Sequence, residues 1–214
     1  MLARNAASGL MSSIRDLEGR RALDAQLKET EDAKATLAEI EAVVAGIRPD
    51  VPDATRRSRL VALSRLAKAI TTCASEHSLA AMGKLTEEEG LKRVHDFCME
   101  ARDDPHVLGC GLAIFANIAF QGFFHLCVDA GACTLLYTLL CPPNASTDPE
   151  TVAFATSALS NLCTDPHSTV AFSNEQLTAL DEAMRALLAN DAYGSSHLAA
   201  QEAVGKLATT LETR

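Results

Sequence analysis

One stretch of this sequence occurs twice, 44 residues apart. Asp104-Pro105-His106-Val107 leads to Ala116-Asn117-Ile118-Ala119, and Asp148-Pro149-Glu150-Thr151 leads to Ser160-Asn161-Leu162-Cys163. A period of roughly 40 to 47 residues is the mark of helical repeat units, and one such unit cannot bury its apolar face alone. Stacked neighbours bury it instead, so the echo predicts an α-solenoid, and a binding surface before an enzyme.

The 214-residue length allows one sizeable core, or a core plus an arm. Aromatic residues make up only 4%, with no Trp, while Ala and Leu are frequent and β-branched runs are scarce. These propensities favour an all-α chain over a sheet.

The formal charge of −9 is unevenly placed: −2 over residues 1–50, +4 over 51–70 and −11 over 71–214. The repeat body is acidic and follows one basic patch, Arg56, Arg57, Arg59, Arg65 and Lys68, whose simplest reading is a solvated helix face. An acidic body repels phosphate at long range, so no nucleic-acid partner is expected. The seven cysteines (73, 98, 110, 127, 133, 141 and 163) are odd in number and contain no CxxC. Lying mostly in apolar helical runs, they read as small buried hydrophobes in a reducing compartment. Asn144-Ala145-Ser146 has the form of a glycosylation sequon but reads as a turn.

No apolar run reaches 18 residues, so neither a membrane span nor a membrane partner is expected. Residues 1–15 lack acids and contain Arg4, Arg15 and several Ser, like a mitochondrial presequence, although Asp16 and Glu18 follow at once. A cytoplasmic or nuclear location is expected, with mitochondrial import as the alternative.

Apolar residues recur at helical spacing from Leu10 to Ile47, which predicts an amphipathic helical arm over residues 1–48. Pro49 and Pro52 end it, and the repeat domain is expected over 54–211. Helices are predicted at Ala54–Thr72, at Glu76–Met82 with a stop near Gly83, and from a Thr86 N-cap to about Arg102. A regular succession follows: Val107–Phe120, Phe123–Ala130, Cys133–Leu140, Pro149–Cys163, Pro166–Ser173, Glu175–Ala189 and Ser195–Leu211. Its order, long buried helix, short helix, medium helix, recurs about three times.

Phe124-His125-Leu126-Cys127-Val128-Asp129-Ala130-Gly131-Ala132, followed by Leu135-Leu136-Tyr137-Thr138-Leu139-Leu140, resembles an armadillo repeat. In that family a short first helix ends in I-V-x-A-G-G, the second carries L-V-x-L-L, and the third reads W-A-L-x-N-L. The third-helix strings here are Ala113-Ile114-Phe115-Ala116-Asn117-Ile118 and Ser157-Ala158-Leu159-Ser160-Asn161-Leu162. Arg65 holds the matching place in the helix at Leu60–Ile70, and Gly205 falls where a third Asn would stand. The match covers residues 104–189, with weaker copies out to 54–211.

The resemblance implies a right-handed superhelix of about three units whose third helices line a concave groove. In groove-binding members the Asn bonds the backbone of an extended peptide, since a carboxamide both donates and accepts. A Trp one turn earlier packs on the peptide's side chains; Ala113 and Ser157 occupy those places here. The candidate groove set is therefore Asn117, Asn161, Ala113 and Ser157, completed by Gln121, Thr164 and Gln201.

No phosphate loop, nucleophile elbow or paired-carboxylate motif occurs. His95 with Cys98 could share a metal at i, i+3, but no second pair completes a site, and His125 and Cys127 fall on different helix faces. No metal, cofactor or enzymatic activity is expected. The leading expectation is a scaffold that binds a partner protein in the groove, with the acidic excess favouring a basic partner segment. The alternative is a structural subunit of a larger complex, contacting it through the convex face or the arm.

Overall fold

The computed structural model describes residues 56–72, 78–87 and 89–213. The N-terminal arm, the presequence-like segment, Cys73 and the end of the predicted Ala54 helix start lie outside them. Every regular element among the described residues is helical. In chain order these are α1 (Arg56–Thr72), α2 (Ser78–Glu87), α3 (Gly90–Glu100), α4 (Pro105–Phe120), α5 (Phe124–Asp129), α6 (Ala132–Leu140), α7 (Pro149–Leu162), α8 (Pro166–Thr169), α9 (Asn174–Leu188), a 3-10 turn (Asp191–Ser196) and α10 (His197–Glu212).

The helices fall into rows. The long helices α1, α4, α7 and α10 lie side by side in that order, each packed on the next. The medium helices α3, α6 and α9 form a second row, and the short α5 touches α8. One apolar core runs between the rows, with Leu63, Leu66, Phe97, Phe115, Leu136, Leu159, Leu180 and Leu207 all fully buried. Each row buries what the other exposes.

The repeated Asp-Pro marks the start of a long helix both times. Asp104 accepts from the N–H groups of His106 and Val107 at 3.0 and 3.4 Å, and Asp148 accepts from the N–H of Thr151 at 2.7 Å. The proline after each cap sits in the first turn, where its missing N–H has no intrahelical role.

Two boundaries differ from the sequence expectation. Gly83 does not end α2, which continues to Glu87 because Met82 and Leu85 are drawn into the core. Thr86 is consequently not an N-cap: its hydroxyl donates to the Met82 carbonyl at 2.8 Å in the last turn of α2, and α3 begins only at Gly90. Similarly, α8 is one turn long, and Ser173 belongs to a capping box with Gln176 that opens α9.

Gly131, between α5 and α6, adopts φ +90°, and a Cβ there would stand 3.1 Å from the His95 ring. The Ala-Gly stop thus serves two ends, the turn itself and the close approach of α3.

Candidate interaction face on the long helices

The 44-residue register extends to a third copy, and it orders one whole face. On α4, Cys110, Ala113 and Asn117 are half-buried and Phe120 is exposed; on α7, Phe154, Ser157 and Asn161 are half-buried and Thr164, just past the helix end, is exposed. The α10 positions 44 further on are Leu198, Gln201, Gly205 and Ala208, of which the first three are exposed. These positions recur every three to four residues, so on each helix they form the stripe turned away from the core. On α1 the stripe of Val61, Arg65 and Lys68 is exposed and lies 52 rather than 44 residues before Ala113, Asn117 and Phe120, and Arg57 is exposed one turn earlier.

Polar side chains stitch the seams between these helices. At each seam one donor from the later segment reaches a backbone carbonyl in the last turns of the earlier helix. Asn161 Nδ2 donates to the Ala116 carbonyl at 3.0 Å, joining α7 to α4. At the next seam Lys206 Nζ donates to the Ser160 carbonyl at 2.8 Å, to Ser160 Oγ at 3.2 Å and to Thr164 Oγ1 at 2.9 Å. Ser160 Oγ in turn donates to Glu202 at 3.0 Å. Gln121 Nε2 reaches the Ile70 carbonyl of α1 at a long 3.5 Å. A cation near a helix C-terminus is also favoured by the helix dipole, which adds to the Lys206 contact.

The residues named for the groove from sequence therefore come together on one surface, with divided roles. Ala113, Ser157 and Gln201 lie on the outward stripes. Asn161, Gln121 and Thr164 are engaged in the seams, so the Asn161 amide has a structural partner, and Asn117 likewise engages another residue of the chain. The signal that the sequence reading missed is Lys206, one position past the Gly205 that ended the Asn series. It restores by an ammonium the bond that Gly205 cannot make.

The basic patch also divides. Arg59 is turned into the protein: its guanidinium stacks 3.9 Å from the centroid of the Phe97 ring and donates to both carboxylate oxygens of Glu100 at 2.9 and 2.8 Å. This corrects its assignment to a solvated face; a desolvated cation needs a partner, and here it ties α1 to α3. Arg57, Arg65 and Lys68 remain exposed on α1.

The buried cysteines are packed in the core. Cys98, Cys127 and Cys163 are buried free thiols, and Cys127 Sγ donates to the Phe115 carbonyl at 3.6 Å. Burial pushes Cys98 and Cys163 up to about 12 and Cys133 and Cys141 up to about 11, the wrong direction for a nucleophile. His95 pairs with Asp96 through Nδ1 at 2.9 Å, while Cys98 points to the Val107 carbonyl. Among the described residues no three His, Cys, Asp or Glu side chains converge as a metal site. A cleft of about 420 Å³ lies between the α3–α4 turn and the α6–α7 connection, lined by Arg102, Asp103, Asn144, Ser146 and Asp148 among others, with no His or Cys. No helix of the described residues is long and apolar enough to cross a membrane. Comparison of the chain with protein families, with curated proteins and with solved structures finds no match.

Proposed function

We propose that the chain is an armadillo-like α-solenoid of about three units that works as a non-enzymatic interaction module, holding a segment of a partner protein against the outward face of α1, α4, α7 and α10. The observation that carries this reading is the 44-residue register of that face. Its stripes present small or polar residues, Ala113, Ser157 and Gln201, between the exposed apolar side chains Phe120 and Leu198. Such a surface admits an extended chain close to the helices and offers it anchors at the edges. Thiols raised by burial, away from the ionised form a nucleophile needs, support a binding role over a catalytic one.

Affinity purification of the full chain with mass spectrometry, run beside a Phe120→Asp/Ser157→Arg variant of unchanged helical circular dichroism, tests the reading. Partners captured by the native chain are expected to be lost from the variant. Retention of the same partners by the variant would sink it.

One observation favours the second reading, in which the helices are packing within a larger assembly and another surface makes the contacts. The Asn161 amide, the group that a peptide backbone would use, already bonds the Ala116 carbonyl. Removing residues 1–48 decides between them: loss of the partner with retained fold supports the second reading.

A further inference from the structure

We draw no further inference here: the strongest candidate, the outward face of the four long helices with its exposed Phe120 and Leu198, carries nothing beyond the reading above, because nothing in the structure shows what covers it.

Discussion

The α4–α7 and α7–α10 seams make the same bond with different chemistry. In the first, a neutral amide, Asn161, donates to the Ala116 carbonyl; in the second, an ammonium, Lys206, donates to the Ser160 carbonyl, 44 residues on. The repeat thus conserves a position that needs a donor rather than a residue type. A carboxamide reaches from one turn and an ammonium, on a longer stem, from the next position along. The two donors differ in their surroundings: Lys206 gathers Ser160 Oγ, Thr164 and, through Ser160, Glu202, whereas the described contact of Asn161 is a single bond.

The strongest way to break both seams at once is to empty the core beneath them. Leu159 is fully buried between α7 and its neighbours, and Leu159→Ala is expected to cost about 2–5 kcal/mol in chemical denaturation, because the rigid row cannot collapse on the void.

Next come the seams themselves. Lys206→Met should cost about 1.5–3 kcal/mol and Asn161→Ala about 0.5–1.5 kcal/mol, since a hydrogen bond from a charged donor is worth more. Salt should shrink the first loss and leave the second unchanged. Equal losses with equal salt response would show that the charge contributes nothing at the second seam.

The caps are a milder test. Asp104→Ala and Asp148→Ala should each cost about 1 kcal/mol, as the two copies hold the same position before a first-turn proline. A large inequality in denaturation midpoints would show that the echo is unequal in energy where it is equal in sequence.

The smallest effect is a gain. Gly205 sits inside α10 at the place of the missing Asn, with nothing within 4 Å of where its Cβ would be. Gly205→Ala should therefore stabilise by about 0.5–1 kcal/mol, read as a higher melting temperature. No gain would mean that the α10 face is closed to side chains in solution.

Much of the helix inventory was legible in the sequence. The Asp-Pro starts, the Ala-Gly stop and the apolar spacing are local signals, and α4, α6, α7 and α9 lie within two or three residues of the expected positions. Where the reading failed, a tertiary contact outweighed a local preference. Gly83 lost to the burial of Met82 and Leu85, and the Thr86-Glu87-Glu88-Glu89 string lost because Thr86 bonded backward to Met82. Ser173-x-x-Gln176 is a capping box, a local signal for the start of α9.

The candidate face was legible in outline only. Register alone put Ala113, Ser157, Asn117 and Asn161 on common stripes, because a helix turns by a fixed angle per residue. The sequence by itself thus determined the helical class, the period and which positions share a side. The tertiary structure alone decided that Asn161 bonds Ala116, that Lys206 replaces the absent third amide and that Arg59 points inward onto Phe97 and Glu100. The physical reason is range: spacing fixes angles within one helix, whereas bonds and fields between helices depend on which helix becomes the neighbour.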